Sequence, residues 1–353
     1  MNFDIALILA QDGIANGAIY VLVALGTVLI FAVSRVIFVP FGDVAAYAAL
    51  TLASFQLGRT PGTIWLVMTL AGIALIVETI TLLRNGEAHR IPRSLFMYGV
   101  LPMLPVALVF ALGSQRLPMA AEIALALALV MPIAPLLYRI VFQPLADASV
   151  LVLLIVAVAL HFLVSGLALL FFGPEGFRTE PLTRAAFEIG SMTITAQSVL
   201  IVVACIVFSL LLFLFFDRTM AGKALRATAV NRTGARLVGI RPAKTAGLAF
   251  LIASALAGIS GILIAPVTTL YYDSGFIFGL KAFVGAIIGG LTSYPIAALG
   301  AVFVGLLESY ASFWDSALKE VVVFSLLIPV LLWRSLAFGH VEEEPEEEDE
   351  GSS

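Results

Sequence analysis

At 353 residues, 61 % of them hydrophobic and 12 % charged, with a mean hydropathy of +1.09, the chain departs from soluble domains, where about 25 % of residues are charged. The formal charge of −4 comes from the C-terminal run. Removing the eight acids of 342–350 leaves 15 acids against 19 bases, a net of +4. Runs such as 151–172 and 196–216 have the ~20 apolar residues that span a bilayer core, so composition excludes a water-soluble fold and leaves no basic domain for nucleic acid. It predicts an all-α, polytopic transmembrane helical bundle. One cysteine, Cys205, excludes an intramolecular disulfide, and His89, His161 and His340 are too scattered to hold a metal.

In chain order, Asp4 and Asp12 precede any base, so the positive segment of a secretory signal is missing and 11–34 reads as a retained span. Asn16, Gly17 and Tyr20 share one of its faces among small residues, where helices can approach closely. Arg35 ends it, and Phe38, Val39, Pro40, Phe41, Gly42 and Asp43 form a break. Residues 43–57 are short for a perpendicular span and read as a broken helix or one extended by its flanks. Spans at 63–83 and 95–113 follow. Their connection carries Arg84, Arg90 and Arg93 against Glu87, the bias of a cytoplasmic loop. Glu78 is an intramembrane acid that faces an interior or cavity, or else bonds to Thr79 or Thr81.

A span at 120–141 ends in YRIVFQPLADAS, with Tyr138 and Arg139 suited to an interface. The next span, 150–172, contains His161, expected to hydrogen-bond locally. A polar connection runs to about 195, and a span over 196–216 leads into the polar loop 217–245. That loop carries seven of the 19 Lys and Arg residues and one acid, Asp217, again a cytoplasmic signature. Ala221, Ala224, Leu225, Ala227 and Thr228 recur at helical spacing with Lys223 and Arg226 on the polar side. Asn231 and Gly234 interrupt this helix, Leu237 and Ile240 supply a second apolar face, and Pro242 starts the next segment. A short helix-turn-helix at the membrane surface is expected. The small-residue span 247–265, an amphipathic stretch 267–282 and a glycine-punctuated segment (Gly285, Gly289, Gly290, Gly300) come next. Pro295 is expected to divide that segment into two half-helices, the broken or re-entrant form that lines transporter binding regions. Glu308 lies on the second half, as a cavity acid or one bonded to Ser309 or Ser312. A last span, 319–333, ends at Trp333 and Arg334, and the acidic run after it reads as a solvated, disordered tail.

GKALRATAVNRTGARLVGI (222–240), DGIANGAIYVLVALG (12–26) and KAFVGAIIGGLTSYPIAALGAVFVGLLESY (281–310) resemble the inner-membrane permeases of branched-chain amino acid ABC transporters. The likeness covers 11–43 and 120–334 well and 44–119 poorly. It departs at Phe38 and Phe41, which replace an amide and an imidazole, at Ile296, which replaces a glycine, and at 63–117, which reads as an inserted helical pair.

The resemblance implies one transmembrane permease domain, 1–340, with the acidic tail 341–353. It assigns coupling to ATPase subunits to Gly222, Lys223, Ala224, Arg226, Ala227, Asn231, Arg232, Leu237, Gly239 and Ile240. It assigns the translocation path to Asn16, Tyr20, Phe38, Phe41, Asp43, Lys281, Gly285, Gly289, Gly290 and Glu308. The implied partners are a second permease subunit (or a second copy), two cytoplasmic ATP-binding subunits, a periplasmic solute-binding protein and membrane lipid. No cofactor is bound directly, ATP being used by the partners. The implied location is the bacterial inner membrane, with a periplasmic N-terminus and a cytoplasmic C-terminus. The cargo would be branched-chain amino acids or a related small organic solute.

The sequence carries no GxxxxGK[ST] phosphate loop, HExxH, CxxC pair or Gly-x-Ser-x-Gly elbow, so enzyme readings find no chemistry. The alternatives are an ATP-independent secondary carrier or channel, for which Glu78, His161 and Glu308 are the candidate ion ligands, and a membrane scaffold.

Overall fold

A computed structural model describes residues 3–112, 117–189 and 192–338; the acidic tail lies outside them. Among the described residues, eight helices are long and apolar enough to cross a membrane, and the chain is an all-α polytopic bundle. Its helices are α1 (Phe3–Ser34), α2 (Phe41–Gln56), α3 (Thr63–Arg84), α4 (Ala88–Leu112), α5 (Met119–Phe142), α6 (Val150–Phe172), α7 (Ala196–Arg218), α8 (Met220–Val230), α9 (Arg232–Leu237), α10 (Pro242–Ile264), α11 (Ser274–Ile288), α12 (Tyr294–Trp314), α13 (Lys319–Ser325) and α14 (Leu327–Phe338). Their ends follow local chemistry. Arg35 takes a positive φ of 60° where α1 stops. The Ser149 and Thr195 hydroxyls accept from Val152 and Ser198 N–H groups at the starts of α6 and α7. Two long helices are irregular. A π-helical stretch over Leu95–Val100 precedes Pro105 within α4, and α5 loosens at Met131–Pro132 before a second π stretch, Tyr138–Phe142, because proline removes a donor and crowds the preceding carbonyl.

The centre of the bundle is α1, wrapped by α10, α11 and α12. Lipid tails are as apolar as leucine, so helices associate through close packing of small residues. Gly13 and Gly17 meet the backbone of Leu306 and Val302, and Gly305 returns the contact against Gly13 and Gly17. Gly285 of α11 and Gly289 at its C-terminal cap lie against Ala301 and Ala297 of α12. The short helix α2 is buried along almost its whole length, with Gly42 pressed on Gly275 and Gly279 and with Ala45 against Gly261. It is neither a bent span nor an extended one, but an inner helix enclosed by neighbours.

The two ends of the bundle differ. At the basic end, Lys244 lies in the electrostatic field of Arg241, Arg93 and Arg90, and Arg232 Nη1 donates to the Ala146 carbonyl at 3.3 Å. The hydrogen bond joins the start of α9 to the turn after α5. At the opposite end, the connection 173–195 is more than an open polar loop. It pairs Phe177 with Leu270, donates from Arg178 Nε to the Pro266 carbonyl at 2.8 Å and forms a two-stranded antiparallel hairpin, β1 (Ala186–Ile189) with β2 (Met192–Thr195).

Two other expectations are corrected. The break in the glycine-rich segment is the turn after α11, where Gly290 (φ 68°) and Leu291 (φ 59°) adopt left-handed backbone. Pro295 belongs to the first turn of α12, where its missing N–H costs nothing. The expected last span, 319–333, is two short helices separated at Leu326.

Candidate functional site

At the basic end, α8 and α9 form a compact helix-turn-helix. The Thr219 hydroxyl accepts from the Gly222 N–H at 2.9 Å, and Asn231 Oδ1 accepts from Gly234 N–H at 2.7 Å, so each helix has its own N-cap. Gly222 lies so close to the Phe215–Phe216 backbone that a side chain would collide with it. Leu225 is buried, Ala224, Ala227 and Ile240 are half-buried, and Lys223 is exposed. The Arg226 guanidinium sits 5.8 Å from the Phe216 ring centroid, and Phe216 in turn meets Tyr294 at the start of α12. Gly239 has a φ of 84°, which favours glycine. Met220, Val230 and Leu237 are 82 %, 87 % and 85 % exposed, apolar side chains that none of the described residues covers.

Three residues assigned to the path from sequence converge in the interior. Tyr20 Oη donates to Glu308 Oε2 at 2.6 Å, and Lys281 Nζ donates to Glu308 Oε1 at 2.6 Å, with Lys281 6 % and Glu308 8 % exposed. Tyr20, Lys281 and Glu308 come from α1, α11 and α12, so one carboxylate ties together the three helices of the glycine-packed core. Glu320 of α13 is the next acid, with Oε1 4.0 Å from Lys281 Nζ. Ser309 donates to the Leu9 carbonyl, and the partners of Glu308 are Tyr20 and Lys281 rather than the expected Ser309 or Ser312. Asn16 lines a cavity of about 260 Å³ next to Glu308 together with Asp12 and Lys319.

Asp43 belongs to a different cluster. His161 Nδ1 stands 2.7 Å from Asp43 Oδ2, and the imidazole stacks on Phe276 with centroids 4.7 Å apart. His161 therefore reaches another helix instead of bonding locally as expected. Asp43 Oδ1 is buried without a hydrogen-bond partner among the described residues, under the close approach of Gly275. Phe38 packs edge-on against Phe142 and Phe250, and Phe41 covers Gly26; both are buried within the protomer.

Glu78 faces the interior, as one of the two expectations had it, and its partners are not its nearest hydroxyls. It pairs with Arg139 Nε and lies 3.4 Å from the Ser94 hydroxyl, while Thr79 and Thr81 donate to carbonyls of their own helix.

A family model described as "Branched-chain amino acid transport system / permease component" matches residues 93–331, which hold α5 to α13, the helix-turn-helix, Lys281 and Glu308. The chain belongs to this family. It is 30 % identical over 203 residues to the high-affinity branched-chain amino acid transport system permease protein LivH of Escherichia coli K12, covering 55 % of this chain and 65 % of that one. It is 30 % identical over 203 residues to the corresponding BraD protein of Pseudomonas aeruginosa (56 % and 66 %). It is 26 % identical over 229 residues to a probable LivH permease of Methanocaldococcus jannaschii (62 % and 65 %). The chain thus spans just under two thirds of the length of these relatives. Membership of a permease family points to transport rather than catalysis.

Within this permease, α1 and α2 lie outside the matched stretch, yet Tyr20 and Asp43 complete clusters whose other members lie within it. Sequence reasoning did not connect His161 with Asp43 or Arg139 with Glu78, because each pair joins residues 61 or more positions apart. It also passed over Gly13-x-x-x-Gly17 and Gly275-x-x-x-Gly279, whose spacing of four is a readable signal for close helix contact.

Proposed function

We propose that this chain is the membrane-spanning subunit of an ATP-driven importer for branched-chain amino acids or a related small organic solute, in the inner membrane. It works with a second permease subunit or a second copy of itself. Two ATP-binding subunits dock at the basic end, and a solute-binding protein delivers at the hairpin end. The N-terminus faces the periplasm and the C-terminus the cytoplasm, as the basic turns direct. Residues 1–340 form the permease domain, and 341–353 add an acidic tail.

The observation that carries this reading is the capped α8–α9 segment, whose Met220, Val230 and Leu237 are left bare beside Lys223 and Arg226. An ATPase groove that covers these apolar groups would move the segment as a unit. Gly222 fixes it to the end of α7, and Arg226 rests on Phe216, which touches Tyr294. Displacement would then reach α12 at its first residue and travel to Glu308, where Lys281 and Tyr20 connect it with α11 and α1. The two broken-helix partners, α11 and α12, are joined by glycine at Gly285 and Gly289, so they can slide without side-chain collision. The path would run along this movable contact.

A secondary carrier would draw on the same interior charges. Against it, Glu308, Lys281 and His161 each already hold a protein partner among the described residues. The deciding experiment is uptake of labelled leucine by proteoliposomes holding the permease with its co-expressed ATPases and binding protein. Uptake that requires ATP supports the importer. Equal uptake without ATP, with no co-purifying ATPase, gives the case to the carrier.

A further inference from the structure

Asp43 and His161 take no part in the movement described above, yet they are the most enclosed acid and imidazole of the bundle. Asp43 is 1 % and His161 6 % exposed, and His161 stands midway along the 23-residue α6. His161 Nδ1 lies 2.7 Å from Asp43 Oδ2, while Asp43 Oδ1 has no hydrogen-bond partner among the described residues. With a neutral imidazole this site would hold one net negative charge, on a carboxylate with a donor at only one oxygen. Inside a membrane bundle such a charge calls for a counter-charge, because desolvation penalises it otherwise. Among the described residues no neighbour supplies one. On the elements packed against α2, Lys281 of α11 and Tyr20 of α1 are bound to Glu308, and Arg139 of α5 pairs with Glu78. Tyr138 of α5 packs on Phe250, and Lys244 stands in the first turn of α10, at the basic end. The acids there carry the same sign as Asp43: Asp4 and Asp12 of α1, Glu122 of α5 and the exposed Asp273 before α11. His161 is the one titratable residue of α6.

We propose that Asp43 and His161 form a proton-binding site within the membrane, His161 being held as imidazolium and Asp43 as carboxylate. The incoming proton forms the N–H bond at Nε2, Nδ1–H goes on donating to Asp43 Oδ2, and the site becomes neutral overall. This charge-separated form is favoured over a neutral acid beside a neutral imidazole because Asp43 lies in the first turn of α2, where the helix N-terminus favours negative charge. A second bond, from Tyr47 Oη to the Val164 carbonyl at 2.9 Å, holds α2 and α6 together one turn further on. The imidazole is stacked on Phe276, in the first turn of α11, so the position of α11 decides whether water reaches the site. Once uncovered, each charge is hydrated on its own, and the proton leaves Nε2 for water. The enclosed arrangement therefore holds the proton more tightly than the uncovered one. Acid favours enclosure, and a rise in pH above the range of a hydrated imidazole favours release. The site itself requires neither the cargo nor ATP.

The test observes His161 directly, by NMR of the full chain in nanodiscs labelled with nitrogen-15 histidine. The chain has three histidines, and the His161 resonances are those lost in His161→Gln. At about pH 8, where a hydrated imidazole with its ordinary pKa of ~6.5 is neutral, both ring nitrogens of His161 should be protonated in the wild type. Asp43→Asn should return the ring to its neutral form at the same pH. A single protonated nitrogen in the wild type, or an imidazolium retained in Asp43→Asn, overturns the site; the wild-type spectrum decides even if the variant does not fold. The link to α11 is read from transport. Uptake by the reconstituted complex should rise roughly threefold from about pH 6.5 to pH 8, and His161→Gln should flatten that rise. A flat wild-type profile, or the same rise in the variant, removes the link. Uptake that proceeds equally without ATP overturns the importer reading instead and leaves the spectrum of His161 to decide the site.

Discussion

The glycine-packed core and the pair α3–α4 solve the same problem, holding helices together in lipid, by different means. Of the apolar window of α1, 89 % is buried, against 33 % for α3 and 22 % for α4. In the core, Gly13, Gly17, Gly285 and Gly305 bring backbones into contact, and one carboxylate joins three helices. The pair α3–α4 instead presents Trp65, Ile76, Ile80, Phe96, Leu104 and Phe110 outward. Its polar attachment is the Glu78–Arg139 ion pair with Ser94 and Thr81 beside it. The lesson is one of tolerance. A region fixed by backbone proximity cannot accept added atoms, whereas one fixed by a side-chain pair at its edge can be altered with the core left standing.

The largest effect should come from filling a glycine contact. A Cβ on Gly17 would lie 2.8 Å from Val302 Cα, so Gly17→Leu should abolish folded protein, scored by fluorescence-detected size exclusion. A monodisperse peak at wild-type yield would break the distinction between the two regions.

Next in size is the central carboxylate. Lys281→Leu leaves Glu308 charged and underpaired, at a cost of about 3–5 kcal/mol for a broken buried pair, read as a lowered melting temperature. The double variant Lys281→Leu with Glu308→Leu should recover most of that stability while uptake remains at least roughly tenfold reduced. Recovery of uptake would mean that the network only packs the bundle.

At the basic end, Gly222→Glu combined with Arg226→Glu should remove co-purifying ATPase with membrane insertion unchanged, measured by pull-down and protease protection. Retained ATPase would end the coupling role of α8–α9. The smallest effect is reserved for the attached pair. Glu78→Gln should lower stability by about 1–3 kcal/mol and leave uptake at the wild-type level in the same proteoliposome assay. A lost activity would show that α3–α4 belongs to the machinery.

Much of the architecture was legible because the signals were local. Hydropathy runs located the spans over 150–172 and 196–216 to within two residues, and Asn231 with Gly234 marked the turn between α8 and α9. The site was legible in part. Tyr20, Lys281 and Glu308 were chosen from resemblance and meet in space, whereas Asp43 was chosen with them but sits against His161 on another helix. Phe38 and Phe41 were read as lining, whereas Phe38 lies in an aromatic cluster with Phe142 and Phe250 and Phe41 covers Gly26, contacts that no local pattern encodes.

Composition and apolar run length by themselves determined that this chain spans a membrane as helices, because a backbone in lipid must satisfy its own hydrogen bonds. Charge placement determined which turns share an end. Only the tertiary structure decided which helix is central, that α2 is enclosed by its neighbours, and which acid meets which base. Burial and pairing depend on residues that approach from hundreds of positions away, as Tyr20 meets Glu308. The energy of an intramembrane charge is set by that partner rather than by its own sequence neighbours.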